Sequence, residues 1–185
     1  MFDGFELKRI KTENADINFR IGGQGEALIL LHGYPQTHAC WHKMAPILME
    51  NFTVILPDLR GYGDSIGPDP DIDNQLYSKR AMARDIKHVL NDLSIEVASV
   101  VGHDRGGRVA YRFALDHPGR IRKLVVLDII PTSEMWEKMT AQAFISGYHW
   151  QFLAQPNGLP EYMIGLDSER YLRHTLDSWA KIENS

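Results

Sequence analysis

The run Val97-Ala98-Ser99-Val100-Val101-Gly102-His103-Asp104-Arg105-Gly106-Gly107-Arg108 limits what this chain can fold into more than any other stretch. An apolar, β-prone segment ends at a glycine, a single acid follows, and two more glycines open a helical pattern that continues through Val109, Ala110, Tyr111, Phe113, Ala114 and Leu115. The pattern predicts a strand, a tight turn and a helix. Glycines on either side of the turn leave room for strand and helix to approach, so one side chain is held above the end of the sheet. Here that side chain is Asp104. A carboxylate is already anionic at neutral pH, so it can displace a leaving group from saturated carbon without a base to activate it. The product is an ester on Asp104, which a histidine-activated water must then hydrolyse.

Arg105 and Arg108 lie three apart in the first turn of the expected helix and can share a face. Cations at that end oppose the helix dipole at about 0.3–1 kcal/mol each. Asp104 can neutralise part of the charge, and a substrate carboxylate can take the rest through charge-assisted bonds. The alternative is two arginines paired with surface acids, but their place beside the turn favours a functional role.

The rest of the chain supplies the frame for such a turn. Phe5 to Thr12 and Ala15 to Ile21 predict an opening hairpin around Glu13-Asn14. Apolar runs at Ala27 to Leu31, Phe52 to Leu56 and Leu124 to Asp128 read as strands buried on both faces, and Trp41 to Met49 as a helix. Ser78 to Leu93 carries Met82, Ile86, Val89, Leu90 and Leu93 on one helical stripe, with Lys79, Arg80, Arg84 and Lys87 elsewhere and His88 at the boundary. Asp116-His117-Pro118-Gly119 ends the helix that follows the central turn. Strands alternating with helices indicate an α/β fold with a mostly parallel sheet and helices on both faces.

Several further residues gather at the expected ends of these strands. The loop His32-Gly33-Tyr34-Pro35 after a buried strand is a candidate oxyanion hole. Asp58 to Ser65 reads as a structural, glycine-rich turn, and 66–75 as a solvated connection in which no His or Cys joins the aspartates at metal-ligand spacing. Asp128 stands at the carboxyl end of its strand, where open α/β sheets place ligand sites. It is either a turn acid or the group that orients a base histidine. Beyond Pro131 come aromatic, helix-prone segments, Glu134 to Leu153 and Ser168 to Lys181, separated by Pro156-Asn157-Gly158-Leu159-Pro160. Within them Tyr148-His149-Trp150 offers imidazole and indole N–H donors suited to a departing halide, or an aromatic cluster for packing.

Composition restricts the setting. The chain of 185 residues carries a formal net charge of −4, with 44% hydrophobic and 24% charged residues, which gives no hint of a polyanionic partner. Cys40 is the single cysteine, so no internal disulfide can form and a reducing, cytoplasmic setting is expected. No stretch has the apolar length needed to span a bilayer.

Together His32 to Pro35, Asp58 to Ser65 and Gly102 to Gly106 resemble the α/β-hydrolase superfamily, in its aspartate-nucleophile branch of dehalogenases and epoxide hydrolases. The likeness is strongest to the haloacetate dehalogenases. It extends through Tyr77 to Ala83, Leu127 to Thr132 and Tyr148 to Pro156. It implies that Asp104 is the nucleophile, that Arg105 and Arg108 clamp the haloacid carboxylate, and that His149 and Trp150 hold the halide. It further implies that Asp128 orients the base and that backbone N–H groups of Tyr34 and Arg105 form the oxyanion hole. Residues 1–131 would then be the hydrolase core and 132–185 the start of a helical cap, acting on a small haloacid such as fluoroacetate with no cofactor, metal, nucleic acid or membrane partner. Relatives acting on neutral substrates commonly have Trp after the nucleophile, so Arg105 favours an anionic one. The family's catalytic histidine follows the cap, and none of His32, His38, His42, His88, His103, His117, His149 or His174 stands at that place. The chain is therefore expected to be C-terminally truncated, with the Leu124 to Leu127 strand as an open edge. A second copy or a complementing C-terminal fragment would be its partner. An epoxide hydrolase using Tyr148 or Tyr162 as acid, and an inactive carboxylate-binding remnant, are the competing readings.

Overall fold

The computed structural model describes residues 1–138 and 140–180, apart from the side chains of Lys138 and Ser146, and these fall into two compact units, 1–129 and 130–185. The first unit is built on a six-stranded sheet. Its strands are β1 (Phe5–Lys11), β2 (Asp16–Gly22), β3 (Glu26–Leu31), β4 (Phe52–Pro57), β5 (Ala98–His103) and β6 (Ile121–Leu127), in spatial order β1-β2-β4-β3-β5-β6. The expected hairpin forms, with Phe5 opposite Gly22 and Lys11 opposite Asp16. β2 also runs antiparallel to β4, while β3, β4, β5 and β6 are mutually parallel.

Alternation along the central strands divides the core into two layers. Ile29, Leu31, Ile55 and Val100 face one side and pack with Met82, Ile86, Val89, Leu90, Val109, Ala110 and Phe113. Leu28, Leu30, Val54 and Leu56 face the other and pack with Trp41 and Ala45. The first layer is covered by α2 (Lys79–Asp92) and α3 (Arg105–Asp116). Ser78 caps α2, its hydroxyl accepting from the Ala81 N–H.

Three expectations for the first unit need correction. Trp41 to Met49 is not one helix: a 3-10 turn at His38–Trp41 is followed by α1, only Ala45–Leu48. Pro46 has no N–H to extend a preceding helix and suits only the start of a new one. Lys79, read as lying away from the packed face, is half-buried. The strand at the end of the unit forms, but it is not buried on both faces. Leu124, Val125, Val126 and Leu127 are 38–46% exposed because β6 is the sheet's edge.

The second unit contains α4 (Thr132–Lys138), α5 (Ala141–Ser146), α6 (Tyr148–Phe152), α7 (Leu159–Leu166) and α8 (Ser168–Trp179). The long helical segment expected from Glu134 to Leu153 is thus three short helices. Thr140 caps α5 by accepting from the Ala143 N–H, and Gly147 closes it, so the chain restarts twice. α7, with Pro160 in its first turn, was not anticipated. Lys181, the expected end of the last helix, lies outside the described residues. No helix among the described residues is long and apolar enough to cross a membrane.

A buried ion pair ties α2 to the loop after β4. Arg60 donates from Nε and Nη2 to the two Asp85 oxygens, each at 2.7 Å, and Thr12 Oγ1 donates to Asp85 Oδ1 at 2.8 Å. Arg60 and Asp85 are each 3% exposed. Removing one partner strands the other charge in the interior. Asp85→Ala is therefore expected to lower unfolding free energy in urea by about 3–5 kcal/mol, with Arg60→Met/Asp85→Leu recovering much of the loss.

Candidate functional site

β3 stands at the centre of the parallel strands, with β4 on one side and β5 on the other. The chain leaving β3 and the chain leaving β5 therefore diverge, and a crevice opens beyond their carboxyl ends. Two loops meet there, His32 to Pro35 after β3 and the Asp104 turn between β5 and α3.

Missing side chains allow this meeting. A Cβ on Gly106 would collide with the carbonyl oxygens of Leu31 and His32, and one on Gly102 with the Gly106 backbone. A Cβ on Gly33 would strike the Asp104 side chain. Asp104 itself sits at φ 47° and ψ −115°, a backbone conformation that L residues rarely adopt. Its carboxylate is thereby delivered to the loop after β3, where the Tyr34 N–H donates to Oδ2 at 2.8 Å. From α3, Arg108 Nη1 donates to Oδ1 at 3.1 Å. Both carboxylate oxygens are held.

The two arginines differ in their surroundings. Arg108 is 4% exposed and turned onto Asp104. The Arg105 guanidinium lies 5.2 Å over the Tyr34 ring and against the Tyr62 hydroxyl, which are neutral partners. The Arg105 backbone N–H belongs to the first turn of α3, where amides have no intrahelical acceptor. Burial pushes the Tyr62 hydroxyl above its usual range, partly opposed by Arg105. Tyr62, against Arg105, and Lys79, on which Asp104, Arg105 and Arg108 act electrostatically, are not singled out by the sequence; the signal for Lys79 is a cation in the first turn of a helix, the same anomaly noted for Arg105 and Arg108.

Behind the loops lies a buried polar network. The Asp58 carboxylate accepts from the backbone N–H of His38 at 2.8 Å, from Asn18 Nδ2 at 3.2 Å and from the Asp64 N–H at 3.2 Å, and the His38 ring lies 2.9 Å away. Burial alone would raise the Asp58 carboxyl; these hydrogen bonds outweigh it and hold it below the ordinary range. His32 is fully buried, and its Nε2 accepts from the Leu59 N–H at 3.0 Å while Nδ1 donates to the Gly33 carbonyl at 2.9 Å. These partners fix the neutral tautomer. The Asp58 turn is thus a structural scaffold, as its glycines and capping oxygens suggested.

Asp128 follows β6 on the strand next to Asp104. Its side chain is 92% exposed, and its Oδ2 lies 4.0 Å from His103 Nε2. His149 and Trp150 are adjacent on α6 in the second unit. There His149 packs against Trp179 with ring centroids 4.7 Å apart, and Trp150 meets Trp136 edge-on at 5.8 Å. Tyr148 Oη lies 3.2 Å from the hydroxyl of the buried Thr175. Among the described residues no three His, Cys, Asp or Glu side chains are grouped to hold a metal ion.

Comparison with known proteins gives the family. A profile of the alpha/beta hydrolase fold matches residues 26–182. The chain belongs to the α/β-hydrolase-fold family. Within that family it is 44% identical to a fluoroacetate dehalogenase of Burkholderia sp over 179 residues, which is 97% of this chain and 59% of that protein. It is 43% identical to a soluble epoxide hydrolase of Corynebacterium sp. (strain C12) over 115 residues, 62% of this chain and 38% of that protein. Among solved structures, ALR0039 of Nostoc sp PCC 7120, assigned to the alpha/beta hydrolases, matches with a TM-score of 0.97 and 51% identity, covering 99% of this chain and 63% of that one. A Pseudomonas aeruginosa protein assigned as an epoxide hydrolase matches with a TM-score of 0.92 and 44% identity, covering 97% of this chain and 60% of that one. The chain spans about three fifths of the length of the first of these relatives.

Two measurements check this architecture. Gly106→Ala is expected to destabilise the fold by at least ~2 kcal/mol through backbone collision, whereas Gly119→Ala, which meets nothing within 4 Å, stays within about 1 kcal/mol in the same urea titration. Burial lowers the pKa of His32, an effect the Gly33 and Asp58 contacts only partly offset, so below about pH 6.5 the unfolded chain takes up a proton that the folded one refuses. Tm is therefore expected to fall from pH 7.5 to 5.5, and His32→Gln to flatten that slope.

Proposed function

We propose that this chain carries the nucleophile and carboxylate clamp of a hydrolytic dehalogenase acting on short 2-haloacids such as fluoroacetate. The observation that carries the reading is Asp104 at the tip of its turn, held at one oxygen by the Tyr34 N–H and at the other by Arg108, with Arg105 as its sequence neighbour. Arg105 and Arg108 bind the substrate carboxylate and bring its α-carbon to Asp104. One carboxylate oxygen attacks that carbon, and the carbon–halogen electron pair leaves with the halide, which His149 and Trp150 receive. The other oxygen becomes the ester carbonyl. If it is Oδ2, it already accepts from the Tyr34 N–H, and with the Arg105 N–H that donor stabilises the oxyanion formed when water adds. Release of the 2-hydroxyacid requires a base histidine, oriented by Asp128, to take the water's proton; none of this chain's eight histidines stands at the family's place for it, so the ester is expected to persist. In this reading 1–131 is the hydrolase core and 132–185 opens the cap.

The identity to the Corynebacterium epoxide hydrolase favours a second reading, in which the same Asp104 ester forms on an epoxide and Tyr148 or Tyr162 supplies the proton. A neutral epoxide has no carboxylate for Arg105 to bind, and this separates the two. Intact-mass analysis after incubation with chloroacetate is expected to show one added carboxymethyl group, mapped to Asp104 and absent from Asp104→Asn. Arg105→Met should slow its formation by about tenfold or more, in line with the loss of a charge-assisted bond of about 1.5–3 kcal/mol. Addition from an epoxide but not from chloroacetate would establish the second reading instead.

A further inference from the structure

Lys79 is the cation that the clamp does not explain. It is the first residue of α2, at the helix end where positive charge is disfavoured, and it is half-buried. Its ammonium touches Met82 Sδ at 4.0 Å, a weak acceptor on its own helix. Among the described residues it forms no ion pair with an Asp or Glu. Arg60, hydrogen-bonded to the Leu76 carbonyl and to Asp85, holds the start of α2 against the loop after β4, and Tyr62 of that loop lies against Arg105. Burial first, and then the guanidiniums of Arg105 and Arg108, push Lys79 down to about 8 against the opposing pull of the Asp104 carboxylate. Lys79, Arg105 and Arg108 thus share the electrostatic surroundings of one carboxylate, Asp104. Arg108 answers Asp104, while Arg105 and Lys79 have neutral neighbours.

This surplus suits the chemistry of the proposed reaction, on which the inference rests. A haloacid must bring its own carboxylate against an anionic nucleophile, so two negative charges share the site. Displacement does not relieve this, because the charge lost from Asp104 on esterification reappears on the halide. Arg108 and Arg105 match the two charges, and a third cation makes the approach of the second anion favourable. We propose that Lys79 is a substrate-positioning residue, the third cation of the haloacid site, which governs capture of the carboxylate rather than displacement at carbon.

The test follows adduct formation on Asp104 in the full chain by intact mass, over a range of chloroacetate concentrations, for the unaltered chain, Lys79→Met and Lys79→Arg. Lys79→Met is expected to raise the half-saturating concentration about tenfold while the maximal rate changes less than about threefold, and Lys79→Arg to restore most of the loss. Between pH 7 and 9 the half-saturating concentration should climb in the unaltered chain as the ammonium loses its proton, and stay flat in Lys79→Arg. Lys79→Met should also raise the Tm of the ligand-free chain, since it removes an unmatched, half-buried charge. An unchanged half-saturating concentration in Lys79→Met, or a lowered Tm with no restoration by Lys79→Arg, would overturn the assignment and leave Lys79 a packing residue. If the unaltered chain forms no adduct on Asp104 at any concentration, the dehalogenase reading fails and takes this inference with it.

Discussion

Contact between two pieces of backbone sets the rest of this molecule. Where α3 begins, Gly106 lies against the carbonyls of Leu31 and His32, with no space for even a methyl group. That approach locks the loop after β3 to the turn after β5. Gly33 can then face the Asp104 side chain, and the Tyr34 N–H can reach the Asp104 carboxylate. Loosening it by one carbon would separate donor from acceptor. The position of Asp104 is thus a result of packing at the sheet's switch point, and the unusual backbone angles of Asp104 are sustained by the same contact.

Electrostatically, the site and its support are arranged in opposite ways. Behind the loops three buried ionisable groups are matched: Asp58 by amide and imidazole groups, His32 by one donor and one acceptor, Asp85 by Arg60 and Thr12. Around Asp104 the balance is broken in favour of positive charge, because Arg108 already answers the carboxylate while Arg105 rests on a tyrosine ring. A fully satisfied network gives rigidity, and an unbalanced one keeps affinity for a visiting anion.

The fold was legible in the sequence wherever periodicity and punctuation agreed. The central strands read as continuous apolar runs, α2 as a stripe with a serine cap, and the Asp104 turn as glycines in fixed places. Placement of Asp104 and the two arginines around one turn was also legible, because it depends on local spacing. What escaped depended on distance or on sheet order. Nothing near Lys79 in the chain shows that Arg105 and Arg108, more than twenty residues away, act on its charge. The partnership of Arg60 with Asp85 joins residues twenty-five positions apart in the chain. The edge position of β6 followed from the resemblance, but the exposure of its side chains could not be read from a run of Leu and Val, which suggested burial on both faces. The broken helices of the second unit turned on Thr140 and Gly147, single residues whose capping overrode an otherwise helical composition.

The Arg60–Asp85 pair has a consequence beyond the stability it supports. An apolar contact between the β4 loop and α2 would be satisfied by many neighbouring alignments, since one methyl group can replace another. A guanidinium set on both oxygens of one carboxylate, with a threonine hydroxyl on the same group, is satisfied by a single alignment. The pair acts as a key that admits one seating of α2 on the sheet. The first turn of α2, with Lys79 in it, is thereby indexed to the strand ends to within a fraction of a helical turn.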